Sequence, residues 1–261
     1  MIKNFVLAGT TLVSSLLFWW KALPWLGDPF RLEPIGVWLW PAIMLVIMVA
    51  CWSLTLLLVS RRLVWWIVAA GHFGLFLFFF PGFHPLLLAG VGVGLIFYLS
   101  AMSSVRREKE NRLQFSLIST LRGAVYRILT ATFILISFAY FLTPAVQSSS
   151  EEKELPSGVV RVVQVLIGSY LGEEMEGEGN PRFISEVTRQ VVDQVTDFLN
   201  PYFQYLPPIL AFSLFLALQG LGLIFLWVTL LLSSIIFLVL KLFKIVTIQK
   251  VTKEAEVAVF N

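Results

Sequence analysis

Residues 209–240 carry no charged side chain, and they form the last and longest of six apolar runs. At about 1.5 Å of rise per residue, this run makes a helix roughly 48 Å long, against a bilayer hydrocarbon core of about 30 Å. The other five runs lie at residues 5–26, 35–60, 63–80, 86–104 and 124–142. Each is long enough to cross a bilayer as a helix. Backbone amides have no water to bond to in lipid, so apolar runs of this length fold there as helices.

Composition agrees. Charged residues make up 13% of the chain, about half the usual globular share of about 25%, and 58% of residues are hydrophobic. A water-soluble globular domain, a disordered chain and a collagen-like chain are excluded on this balance. The fold class expected is an all-α integral membrane protein with about six transmembrane helices. The first run ends Phe18-Trp19-Trp20-Lys21, without the small residues of a signal-peptide cleavage site, so it is expected to remain as a span. Cys51 is the single cysteine, which excludes an intramolecular disulfide.

The cations are segregated. Thirteen of the 19 lysines and arginines fall in the N-terminus, the Arg61-Arg62 connector, residues 105–127 and the C-terminal tail, with only Glu108, Glu110, Glu254 and Glu256 among them. The remaining connectors are acidic. By the positive-inside rule both termini are cytoplasmic and residues 145–207 are extracytoplasmic. Trp19, Trp20, Trp25, Trp38 and Trp40 would then mark one interface, and Trp65 and Trp66 the other. A prokaryotic inner (cytoplasmic) membrane is the expected location, with the lipid bilayer as the main partner.

The organisation expected is five spans within residues 1–144, a helical extracytoplasmic region over 145–207, a long final helix over 208–244, and a cytoplasmic tail over 245–261. Within the first part, Leu113, Leu117, Leu121 and Val125 recur every four residues. Together with Arg106, Arg107, Lys109, Arg112, Arg122 and Arg127 this pattern suggests a basic amphipathic helix over 105–123 at the membrane surface. An extension of the fourth or fifth span fits the same spacing. In the polar region, residues 147–154 read as a Ser/Glu-rich linker. Residues 159–171 lean to helix despite their β-branched run, and 173–179 form an acidic loop. The stripe Phe183, Val187, Val191, Val195 and Leu199 predicts an amphipathic helix opened by Asn180-Pro181. The final helix is expected to break near Gln219-Gly220-Leu221-Gly222, with residues 202–219 packed against the extramembrane region or bent into the outer leaflet.

Few residues bear chemistry. His72 lies near the middle of the third run, where an ionisable group is a candidate relay, ligand or gate. The simpler reading is a neutral histidine donating to a neighbouring helix. Gln219 is the second intramembrane polar candidate. Ala70 with Gly74, and Gly90 with Gly94, are small-residue pairs expected to pack the third and fourth spans as a hairpin. The sequence has no H-E-x-x-H, no P-loop and no G-x-S-x-G, and His84 lies too far from His72 in depth to share a metal with it. No catalytic residue, metal site or cofactor is expected, nor a nucleic-acid partner. The leading expectation is a non-enzymatic membrane scaffold or assembly factor, with other membrane proteins or a second copy of itself as partner. The alternative is a small transporter or channel with a path near His72 and the Gln219–Gly222 break.

Overall fold

The computed structural model describes residues 2–29, 35–59, 61–81, 85–111, 116–153, 155–174 and 181–246, and every regular element among them is helical. The helices are α1 (Ile2–Leu26), α2 (Gly36–Leu58), α3 (Arg62–Phe79), α4 (Pro85–Asn111), α5 (Leu117–Phe141), α6 (Pro144–Glu152), α7 (Ser157–Glu174), α8 (Pro181–Leu199) and α9 (Leu206–Leu242), with a 3-10 turn at Asn200–Tyr205 before α9. Six of them, α1 to α5 and α9, are long and apolar enough to cross a membrane.

The bundle is built around α5. Leu121, Ala124, Val125, Leu129, Phe133, Leu135 and Ile136 are all buried along it. It packs chiefly against α4 and α9 and also touches α2, while α1 joins α2 and α3 in a second group. Many apolar side chains on the outer faces stay exposed, among them Leu63, Phe78, Leu223 and Leu231. In lipid such side chains are at home, and the interior holds together by packing and by hydrogen bonds rather than by exclusion of water.

Four sequence expectations change. First, no separate surface helix exists among the described residues of 105–123. α4 continues to Asn111 and α5 begins at Leu117. Leu117, Leu121 and Val125 of the stripe lie on the inward face of α5, with Leu121 and Val125 fully buried, and Leu113 falls outside the described residues. Spacing alone cannot distinguish a helix lying on lipid from one packed on protein.

Second, α9 is continuous through Gln219–Gly222. A glycine costs a helix about 1 kcal/mol, whereas backbone groups freed in hydrocarbon cost several each, so the helix runs on. At about 1.5 Å per residue, its 37 residues reach roughly 55 Å. The N-terminal part, with Leu206, Leu210 and Leu214 buried, is flanked by α6 and the 3-10 turn.

Third, the Ser/Glu-rich stretch is α6, with Thr143 as N-cap and Pro144 in its first turn. Val146 and Ser149 are buried on one face, and Gln147 Nε2 donates to the Phe141 carbonyl at 2.6 Å, folding α6 back on the end of α5. Lys153 closes it in a left-handed conformation at φ 55°.

Fourth, α3 and α4 make little contact with each other. α3 leans on α1, and α4 on α5. Residues 159–171 lie within a helix, α7, which packs against α8. The acidic loop beyond Glu174 and the tail beyond Val246 fall outside the described residues.

Candidate functional site

His72 is the natural starting point. It sits in the middle of α3, 4% exposed, on the face toward α1 and α2. Its ring meets Trp52 of α2 edge-on at 4.9 Å between centroids and Trp19 of α1 at 5.8 Å. Trp52 in turn stands edge-on to Tyr98 of α4 at 4.2 Å. Trp19 therefore belongs to the core, not to an interfacial belt. Trp20, Trp38, Trp40 and Trp66 stay exposed, as interfacial tryptophans do.

His72 Nδ1 has no hydrogen-bond partner, although it is buried. Around the ring stand the aromatic side chains of Trp19, Trp52 and Phe73. Beside the ring is a cavity of about 10 Å³, lined by Met48, Trp52, Tyr98, Ile128, Thr132 and Leu135 among others. That volume is at the threshold for one water molecule. Tyr98 is engaged elsewhere, donating to the Trp65 carbonyl at 3.1 Å, and Thr132 donates to the Ile128 carbonyl at 2.9 Å. No group of three or more His, Cys, Asp or Glu side chains able to hold a metal occurs among the described residues.

Gln219 is elsewhere. Its Nε2 donates to the hydroxyl of Tyr126 on α5, and no α9 residue lines the His72 cavity. The two polar candidates are not brought together.

The small residues divide as well. A Cβ on Gly90 would lie 2.8 Å from Phe138 Cγ, and one on Gly94 would lie 3.1 Å from Phe73 and 3.6 Å from Leu135. This pair fits α4 closely to α5, with Phe73 of α3 touching it once. Ala70 and Gly74 face outward, and a Cβ on Gly74 would meet nothing within 4 Å. The close approach on α3 is Gly71 instead, against Leu12 of α1.

The cations share one end of the bundle but no common surface helix. Lys109 donates to the Leu57 carbonyl at the C-terminus of α2, a cation completing a helix end. Arg127 bends back one turn to donate to the Gly123 carbonyl at 3.0 Å, as a basic side chain does when it reaches from hydrocarbon toward water. Arg122 lies over the Trp227 ring at 5.9 Å. Arg106 and Arg107 are exposed on the extension of α4, and Arg112 lies outside the described residues.

The largest polar constellation was not singled out from the sequence. The Thr11 and Thr55 hydroxyls are 2.8 Å apart, and Thr11 donates to its own helix at the Leu7 carbonyl at 2.8 Å. Trp52 Nε1 donates to Ser15 Oγ at 3.3 Å, and Ser53 and Ser233 face each other at 3.3 Å. Together they tie α1 to α2 and α2 to α9 inside the apolar layer. The signal was present as Thr10-Thr11, Ser14-Ser15, Ser53 and Thr55 at helical spacing within apolar runs. Their inventory is hydroxyls and one indole, suited to holding helices together and not to nucleophilic chemistry.

Two wide grooves open sideways from the bundle. One, of about 630 Å³, is lined by Leu86, Ile134, Phe138, Phe212 and Phe215 among others. The other, of about 670 Å³, lies among the ends of α1, α3, α4 and α5. Both are lined mainly by apolar side chains.

Compared with known protein families, curated proteins and solved structures, the chain matches none. Fold and site geometry therefore carry the functional reading.

Proposed function

We propose that this multi-span membrane protein is a non-enzymatic scaffold or assembly factor that presents the α7–α8 hairpin as a docking surface outside the bilayer. The observation that carries this reading is the way the hairpin is mounted. α7 and α8 pack on each other, with Gly168 against Ile184, and α8 is joined to the bundle through the 3-10 turn. Val165 and Leu166 of α7 and Val195 and Phe198 of α8 remain exposed. Outside the bilayer, where the charge pattern would put this hairpin, such apolar side chains are a common mark of protein contact. The charge asymmetry supports both termini in the cytoplasm and the hairpin on the far side of a prokaryotic inner membrane. Other membrane proteins, or a second copy of this chain, are the partners such a surface suits.

The transport alternative loses its main support, because α9 is unbroken and Gln219 is remote from the His72 cavity. For a metal-dependent membrane enzyme, no group of three or more His, Cys, Asp or Glu side chains able to hold a metal occurs among the described residues.

The deciding experiment places a photoreactive amino acid at Phe198 or Leu166 of the full-length chain in its native membrane, with Arg189 on the wet face as control. A scaffold gives a discrete protein adduct from the first two positions and none from Arg189. Equal labelling from all three, or none, overturns the docking surface. Solute or proton flux through reconstituted vesicles that is lost in His72→Ala would replace the scaffold reading with the transport one.

A further inference from the structure

The loose seam between α3 and α4 widens at the basic end of the bundle into a cleft of about 240 Å³, lined by Arg62, Trp65, Trp66, Leu99, Met102, Ser103 and Arg106. Its layers are ordered by polarity. Arg62 and Arg106 stand exposed on opposite rims, one from the start of α3 and one from the extension of α4. Trp66 and Ser103 are exposed beside them, Trp65 and Leu99 are half-buried, and Met102 is buried on the apolar side.

The walls are held firmly. Trp65 Nε1 donates to the Val59 carbonyl at 2.9 Å, and the Trp65 carbonyl accepts from Tyr98 at 3.1 Å, which pins α3 to α4 just below the cleft. Because α3 begins at Arg62, the positive end of its dipole adds to the field of the two guanidinium groups.

We propose that this cleft binds the headgroup phosphate of an anionic phospholipid from the membrane the chain spans. The phosphate lies between Arg62 and Arg106, the glycerol esters rest against Trp65 and Trp66, and the acyl chains descend past Leu99. Three features select this occupant. Two guanidinium groups across a gap complement one phosphate, with planar donors suited to its oxygens. Tryptophans at this level belong to the glycerol region of a bilayer. The apolar floor continues the seam toward the hydrocarbon, which a soluble anion would leave uncovered. The cleft has room for a phosphate and its ester linkage but not for a folded segment.

The test is lipid retention by the full-length protein, purified from mixed vesicles of equal phosphatidylglycerol and phosphatidylcholine and read by native mass spectrometry. Wild type is expected to keep phosphatidylglycerol in preference to phosphatidylcholine. Arg62→Gln and Arg106→Gln each reduce that retention by about fivefold, as expected for one cation near an anionic lipid. Arg107→Gln, off the cleft on the same helix, keeps it.

Equal retention of the two lipids by wild type overturns the site. So does unchanged retention in the double Arg62→Gln, Arg106→Gln variant, or an equal loss in Arg107→Gln. If the double variant does not fold, Ser103→Trp, which fills the cleft from its exposed side without changing charge, decides the matter: bound lipid falls if the site is real, and unchanged lipid refutes it. Displacement by millimolar inorganic phosphate would assign the cleft to a free anion and overturn the lipid occupant.

Discussion

Gln219 Nε2 donates to the Tyr126 hydroxyl at 2.9 Å, joining α9 to α5 on the outer flank of the bundle. Tyr126 is about half exposed, and Gln219 Oε1 has no partner. A hydrogen bond between membrane helices contributes on average about 0.6 kcal/mol, because the separated helices find other partners. Gln219→Leu and Tyr126→Phe are each expected to cost no more than about 1 kcal/mol in detergent unfolding, and together no more than either alone. Strict additivity of the two losses would show that the bond is not made in the membrane.

Thr11 and Thr55 carry a tighter version of the same argument, because their paired hydroxyls are buried. Thr11→Val keeps the shape and removes the hydroxyl, leaving Thr55 to find another partner. The expected loss is about 1 to 2 kcal/mol. Ser233→Ala should cost less, since its contact with Ser53 is longer, at 3.3 Å. Reversible unfolding followed by far-ultraviolet circular dichroism ranks the two, and the opposite order would contradict the geometry.

His72→Phe is expected to be neutral or stabilising. The cage of Trp19, Trp52 and Phe73 already packs an aromatic ring, and the substitution removes a buried nitrogen that has no partner. A lowered melting temperature in detergent would mean that the imidazole makes a bond through a buried water, for which the adjoining cavity has barely enough room.

Gly90→Val and Gly74→Val form a matched pair. At Gly90 even the Cβ presses on Phe138, so the larger side chain is expected to cost about 1 to 3 kcal/mol by forcing α4 off α5. At Gly74 the added atoms meet lipid, and stability should change by less than about 0.5 kcal/mol. Similar losses at both sites would place a second helix, from another copy, on the outer face of α3.

Sidedness has its own check. In a Cys51→Ser background, a cysteine at Arg161 should react with a membrane-impermeant maleimide added outside intact cells, and one at Arg107 only after lysis. The reverse pattern would invert the topology and remove the docking hairpin from the outer face.

The order of apolar and charged residues was enough to mark six helices long and apolar enough to cross a membrane, and roughly where each begins. Length and hydropathy are local properties, and in lipid the backbone has little choice but to form a helix. Contacts were a different matter. The leucine stripe near residue 120 could equally cover lipid or protein, and only the position of α4 turned it into the inner face of α5. Gly220 and Gly222 read as a break by local propensity, yet the surrounding apolar phase holds α9 together. Gly90 and Gly94 were legible as packing residues but not their partner, because a small-residue motif says that something comes close and not what. Whether His72 met a carboxylate, a water or an indole depended on Trp19 and Trp52, which lie 53 and 20 residues away in the chain. Hydropathy decides which phase a side chain enters. Helix packing, in which every apolar face is nearly equivalent until shapes are matched, decides what it touches there.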